Sequence, residues 1–320
     1  MLRIHFTAAD LARTTIAREP DPLWEVLLSL HMLQESNAEL IYGKWRTYAR
    51  RAVPGRLLEL TPVTGYSPDF LTPVTRHKAF EDALETVVST PGTVVLEQVD
   101  HLMTRRPATS WTRTLAGGSA PAMAQLAAGI TAYYERAIAP YWNSIRRQVV
   151  ANRSDHADTL LDHGIDHLLS TLHPRVRWEP PVLQVLDFVD TDLQLDGRGL
   201  RLQPSFFCWQ APTKLRDGDL PPVLVFPTRP VPGDLYRGDK HERSDSLAAL
   251  LGRTRAHALE VIAGDRTTSE IAKLCRVSVP AASQQAAVLR DAGLITSRRA
   301  GLAVQHQLTA LGRELLDGRV

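Results

Sequence analysis

Cysteine is nearly absent. The chain has two, Cys208 and Cys275, far apart in 320 residues, which excludes a disulfide framework. At Cys275 a small apolar residue is wanted, and a buried thiol is the expected reading. Long apolar runs are also missing. The most apolar stretch, Leu23 to Leu33, carries Glu25 and His31 and is too short to span a membrane. The first six residues lack the apolar core and cleavage site of a signal peptide, so no membrane partner and a cytoplasmic location are expected. No internal repeat or low-complexity segment occurs. No P-loop, dinucleotide glycine fingerprint, Gly-x-Ser-x-Gly elbow or His-Glu-x-x-His is present, so enzyme motifs are absent and a non-enzyme with no cofactor is expected.

Charge is present but unevenly placed. The net charge is +2. From Ser246 onward, ten Lys and Arg face six Asp and Glu, while the rest has 27 against 29. A basic small domain on a mildly acidic body suits phosphate contact by the former. Arginine outnumbers lysine along the whole chain, which reflects base composition more than function.

At this length two or three domains are expected. Leu2, Ile4 and Phe6 alternate as in a strand, and Thr7 caps a brief helix. Asp21-Pro22 opens a clear helix with Leu23, Val26, Leu27 and Leu30 on one face. Helices are read over 44–52, 56–60, 77–88 and 93–103, and from about Pro121 to Leu172 with a break near Pro140. After Pro174, short strands are read over 182–187, 190–195, 199–210 and 222–227. The fold class is α+β multidomain: a mostly α N-terminal body with a small antiparallel sheet, then a C-terminal winged helix-turn-helix. The body covers 1–232 (mainly helical over 1–172, β-rich over 175–232), a linker 233–245, and the last domain 246–320.

The stretch 267–308 organises this reading. Thr267 or Thr268 caps a helix with Glu270 in its first turn. Ile271, Ala272, Leu274 and Cys275 form its apolar face. Arg276-Val277 makes the turn. Ser278 caps a second helix, with Pro280 in its first turn, and Ala282, Ala286 and Leu289 recur at helical spacing. Gly293 ends it as a C′ residue. Two strands follow, with Arg298, Arg299 and Gly301 at or near their turn, and Thr309 caps a last helix, Ala310 to Leu316.

The segment SVPAASQQAAVLRDAGLITSRRAGLAVQHQLTALGRELL is similar to the winged-helix domain of the arsenic-repressor (ArsR) family of bacterial regulators. The shared features are the V-S-x-x-x-x-S helix start, V-L-R-D-A-G-L-I, an Arg-bearing wing and L-T-x-x-G. The upstream LLGRTRAHALEVIAG resembles the family's first domain helix. The match covers about a quarter of the chain. PLWEVLLSLHML, LRLQPSFFCW and PPVLVFPTRP resemble, more loosely, the long N-terminal domain that accompanies a subset of these regulators. The family usually has Arg-His-Leu where this chain has Gln284-Gln285-Ala286. Glutamine pairs bidentately with adenine, so an A·T contact in each half-site is expected.

The resemblance implies a sequence-specific, dimeric transcription regulator, a repressor reading an inverted repeat in double-stranded DNA. Its Leu247–Ile262 helix and last helix form the homodimer. The residues expected to approach DNA are Ser278, Pro280, Ser283, Gln284 and Gln285 on the second helix, Arg290 at its end, and Arg298 and Arg299 on the wing. The N-terminal body is expected to sense a small-molecule effector or to set dimer geometry. The alternatives are a ligand-independent architectural DNA binder and an enzyme whose winged helix serves dimerisation.

Other features have plainer readings. Asp162 and Asp166, and His163 and His167, are spaced i,i+4 and can chelate zinc or nickel on one helix face; a solvated polar face is expected instead, and no metal. Gly117-Gly118-Ser119 reads as a loop and N-cap rather than an anion site. Trp24, Tyr42, Trp45, Tyr133, Tyr134, Trp142, Phe206, Phe207 and Trp209 are read mostly as core.

Overall fold

A computed structural model describes residues 1–74, 79–105, 107–230, 232, 235, 247–264, 266–300 and 303–316. The chain divides into two compact units, Met1–Tyr236 and Arg237–Val320. Helices and small sheets are mixed throughout. No helix among the described residues is long and apolar enough to cross a membrane. The linker expected over 233–245 lies outside the described residues, Leu235 excepted.

The first unit begins with β1 (Leu2–His5), α1 (Ala8–Arg13) and β2 (Thr15–Ile16). Eight helices occupy the middle: α2 (Pro22–Gln34), α3 (Glu39–Ala49), α4 (Gly55–Leu60), α5 (Phe80–Val88), α6 (Gly92–Met103), α7 (Ser110–Ala116), α8 (Ala120–Tyr133) and α9 (Trp142–Thr171). Their starts follow local chemistry. Thr7 and Asp10 form a reciprocal capping box on α1, and Asp21 accepts from the N–H groups of Leu23 and Trp24 on α2, whose first residue is Pro22. Ser119 caps α8. The expected break near Pro140 is present as a π turn over Tyr134–Ile138 and a 3₁₀ turn over Ala139–Tyr141. Helix α7 carries no apolar period strong enough to announce it in the sequence.

Helix α9 itself breaks at Gly164, with φ 82° and ψ 177°. Gln148 and Thr171 line the same pocket, although a straight helix would set them about 34 Å apart. The arm after Gly164 therefore folds back along the arm before it.

The strands of this unit form two sheets, where one small antiparallel sheet was expected. With β3 (Val176–Glu179), β4 (Val182–Val185) and β5 (Thr191–Gln194), the first sheet runs β3-β4-β1-β5. Strand β1 is antiparallel to β4 and parallel to β5, so Ile4 faces Leu183 and Leu193. With β6 (Arg201–Ser205), β7 (Thr213–Lys214) and β8 (Val223–Pro227), the second runs β2-β6-β8-β7, parallel except for β7. Parallel pairing needs a long connection, and each parallel pair has one: helices between β1 and β5 and between β2 and β6, and 17 residues between β6 and β8.

Strand β8 is buried at every position. Val223 and Val225 enter a helical core with Trp45, Tyr42, Phe206 and Phe207, while Leu224 and Phe226 enter a second core with Leu2, Ile4 and Leu183. The period of two thus serves two cores at once. Of the aromatics, Trp24, Tyr42, Trp45, Tyr133, Phe206 and Phe207 are buried, and Tyr134, Trp142 and Trp209 are partly so.

Three buried carboxylates hold loops of the β-rich part. Asp10 accepts from Gly199 N (2.8 Å), Asp69 from Arg216 N (3.0 Å) and Asp217 N (2.8 Å), and Glu25 from Phe206 N (2.9 Å) and Phe207 N (3.0 Å). Burial pushes Asp69 upward and Glu25 to about 7, against an ordinary glutamate value of 4.5.

The second unit is built from a helical stretch over 247–251, α10 (Arg253–Ile262), β9 (Arg266–Thr267), α11 (Thr268–Cys275), α12 (Val279–Asp291), β10 (Ile295–Ala300), β11 (Ala303–Leu308) and α13 (Ala310–Leu316). The single helix expected over 247–262 is interrupted at Gly252, φ 84°. The three strands are antiparallel in the order β10-β11-β9.

Glu25→Gln retains the shape but has one acceptor oxygen for two N–H groups, and should cost about 1–3 kcal/mol below pH 4.5. Wild-type Glu25 binds its proton more tightly folded than unfolded. Its contribution is therefore full below 4.5 and is lost as pH rises through about 7. The wild-type-minus-variant difference in urea unfolding should shrink across that window; a pH-independent difference would rule out titration of Glu25.

Candidate nucleic-acid interface

Helix α11 starts where β9 ends. Thr267 Oγ1 accepts from Glu270 N, and Glu270 Oε2 accepts from Thr267 N (2.8 Å). The Thr267 N–H and hydroxyl hold the Glu270 carboxyl below its ordinary value. Ile271 and Ala272 are buried, but Leu274 is 50% exposed and Cys275 only partly covered. Of the expected four-residue apolar face, Ile271, Ala272 and the partly buried Cys275 pack on the core of the unit and Leu274 does not, because α11 is eight residues long and packs on one side only.

The turn after α11 reverses the chain at Arg276, φ 54°. Val277 N donates to Ala272 O (3.0 Å) and Arg276 N to Lys273 O (3.3 Å), the paired bonds of a Schellman motif. A left-handed arginine here costs about 1 kcal/mol relative to glycine. Val277 packs into the core of the unit, and Ser278 accepts from Ala281 N (3.3 Å) to begin α12. The far end of α12 repeats the motif: Leu294 N donates to Leu289 O and Gly293 N to Arg290 O, with Gly293 at φ 73°.

Helix α12 has two unlike faces. Ala282, Ala286 and Leu289 are 1–2% exposed against Leu259, Ile262 and Ile271. At 100° per residue the direction opposite this stripe passes through Pro280, Gln284 and Asp291. Pro280, Ser283 and Gln284 are exposed, as are Ser278 and Val279. Ser283 and Arg290 fall on one flank. Gln285 falls on the other, partly buried, and accepts from Arg255 Nε on α10 (3.1 Å). Its side chain, expected to approach DNA, is tied here to α10. Arg290 lies 3.6 Å from Asp291.

The hairpin is longer than expected. Arg298 and Arg299 lie within β10, paired with Gln305 and Val304, and not at the turn. The β pairing continues to Ala300, because the alternating segment Ile295–Ala300 finds a full partner in Ala303–Leu308. Both arginines are exposed. As neighbours in a strand they point to opposite faces: Arg299 shares a face with Ser297 and His306, and Arg298 with Thr296 and Gln307. Gly301 lies outside the described residues. His306 is buried, bonded to Ser297 Oγ (2.8 Å) and Thr268 Oγ1 (2.9 Å). Its pKa is lowered, first by burial and then by the Arg290 charge, so the neutral ring ties both hairpin strands to the start of α11. Exposed Lys273 and Arg276 add positive charge beside this surface; their position at the end of α11 was the signal for them, and sequence reasoning passed over it.

The last helix is locked to the end of α12. Thr309 Oγ1 donates to Gly293 O (2.7 Å) and accepts from Gly312 N (3.0 Å), while a Cβ on Gly312 would lie 1.9 Å from Leu294 O. The L-T-x-x-G pattern thus has a physical content: buried Leu308, a threonine joining two turns, and a close backbone approach.

Elsewhere, the Asp162, His163, Asp166 and His167 pairs each straddle the break at Gly164 and do not share a regular helix face. The His163 and His167 rings are 4.9 Å apart, but Asp166 accepts from Trp178 Nε1 (2.7 Å). No group of three or more metal-ligating side chains occurs among the described residues. Cys208 is buried, and burial followed by the nearby Glu25 charge pushes its thiol pKa up. No family model matches the chain, and neither does any curated protein or solved structure.

Gly312→Ala should destabilise the second unit by about 2–3 kcal/mol through the forced separation of α13 from Leu294, read as a loss in chemical unfolding. An unchanged midpoint would show that the two segments separate freely.

Proposed function

We propose that this chain is a sequence-specific, double-stranded-DNA-binding transcription regulator of the winged helix-turn-helix class, acting as a homodimeric repressor. The observation that carries the reading is the two-faced helix α12. Its inner face is sealed by Ala282, Ala286 and Leu289; Pro280 and Gln284 are exposed on its outer face, Ser283 on one flank, and the cap Ser278 just before it. It follows a tight turn after α11 and precedes a hairpin with two exposed arginines. A helix of this kind fits the major groove, N-terminal residues foremost.

In this reading Gln284 accepts and donates on adenine, Ser283 reaches a neighbouring base, and Arg290, Arg298 or Arg299, with Lys273 and Arg276, meet phosphates. Gln285 supports the helix through Arg255 and does not read bases. Two copies of α12 in a dimer address half-sites about 34 Å apart. The first unit sets affinity through a ligand or through dimer geometry; coupling of about 1–3 kcal/mol suffices for a switch.

Selection of bound fragments from genomic DNA by the purified chain at physiological salt tests the reading. Inverted repeats should emerge; broad capture without a shared sequence would favour an architectural binder, and no capture would remove the proposal. On a selected site, Gln284→Ala should relax preference at one position per half-site, worth about 1–3 kcal/mol. Arg298→Ala and Arg299→Ala should differ, since the side chains leave opposite faces of β10. One should lower the salt slope by about one and weaken all sequences alike, and the other should leave the slope unchanged. Equal losses would overturn the facial assignment.

A further inference from the structure

The first unit holds a polar pocket of about 280 Å³, bounded by one face of the first arm of α9, by Thr171 on its returning arm and by Arg229 just beyond β8. Asn152, Asp155, His156 and Thr159 stand at i, i+3, i+4 and i+7, so they share that face.

The hydroxyl donors of this wall are already used. Thr159 Oγ1 donates to Asp155 O (2.8 Å), and Thr171 Oγ1 donates to His167 O (2.8 Å). His156 Nδ1 lies 2.7 Å from Asn152 O, and a carbonyl only accepts, so that nitrogen carries the proton. In the neutral ring Nε2 is then an acceptor, oriented by the bond on the other side of the imidazole and by its edge contact with Phe226, 5.4 Å away. Asn152 is 9% exposed, and its Oδ1 is buried without a hydrogen-bond partner. A buried acceptor left unmade is costly, and such a group in a pocket wall marks a place where a donor belongs. Arg229, also in the lining, is exposed, and no carboxylate pairs with it among the described residues.

The pocket therefore offers a cluster of acceptors, one of them the Asp155 carboxylate, together with a single guanidinium. The geometry points to a binding site for a small zwitterion of the α-amino-acid class. Asn152 Oδ1, His156 Nε2 and Asp155 receive the ammonium, and Arg229 receives the carboxylate in a charge-assisted pair. This names the chemistry of the effector on the regulator reading above, but binding to the first unit is measured without DNA and stands or falls separately from it.

The test is calorimetry and thermal unfolding of the full chain with each of the twenty common amino acids at about 10 mM. A ligand binding at about 1 mM or tighter should raise Tm by about 3 °C or more. Asn152→Leu keeps the branched outline and removes the orphaned acceptor. It should leave the unliganded Tm equal or higher while binding falls at least about tenfold. A merely structural asparagine would instead lower the unliganded Tm. Arg229→Gln should abolish the preference for the amino acid over the corresponding amine without a carboxylate. The assignment is overturned if none of the twenty binds, if the amine binds wild type equally well, or if Asn152→Leu binds like wild type.

Discussion

The first unit depends on a carboxylate placed where no water reaches it. Glu25 sits one turn into α2, wholly buried, and its two oxygens take the N–H groups of Phe206 and Phe207. Those two residues have just left β6 and have no strand to pair with, yet their rings enter the helical core beside Tyr42 and Trp45. Without an acceptor, two backbone donors would be stranded among apolar groups. The carboxylate removes that cost and so fixes where β6 ends, where the aromatic rings dock and how β8 is covered on its helical side. Tyr42 strengthens the same junction by donating to Phe206 O (2.8 Å).

Asp10 and Asp69 apply the same solution at two other points, each binding backbone N–H groups far along the chain. The helical part and the β-rich part thus meet through acceptors supplied by helices or turns and donors supplied by loops. Loops that cannot enter a sheet are held by specific bonds, and the small sheets need not extend to cover them. The second unit reaches order differently. Its turns satisfy their own backbone groups through paired Schellman bonds, Thr309 ties the second of them to the last helix, and His306 ties the hairpin to the start of α11. Its core is mostly alanine and leucine, so close backbone approach, as at Gly312, replaces bulk.

These contrasts explain which elements could be read in advance. The caps at Thr7, Asp21, Ser119, Thr267, Ser278 and Thr309 and the stop at Gly293 involve partners within a few residues, and their chemistry stands in the local sequence. So do the buried positions of α12, which recur at the helical period. The hairpin after α12 was also legible, but its length was not, because Arg298 and Arg299 resemble turn residues until their strand partners are known. The side of Gln285 depended on Arg255, thirty residues earlier.

Long-range pairing was beyond local pattern. Strand β1 joins partners that lie beyond the helical part of the unit, and nothing in Leu2–His5 states that one neighbour is parallel and the other antiparallel. Glu25 showed the limit most plainly: in sequence it was only a charge interrupting an apolar run, and in the fold it is the anchor of the run. Asn152 is similar, one polar residue in a polar helix until the return of the chain at Gly164 encloses it. Capping, turn chemistry and periodic burial arise from interactions between near neighbours, so residue order alone determined them. Sheet order, the partners of buried polar groups and the faces offered to ligands arise from which distant segments meet, and only the tertiary packing decided those.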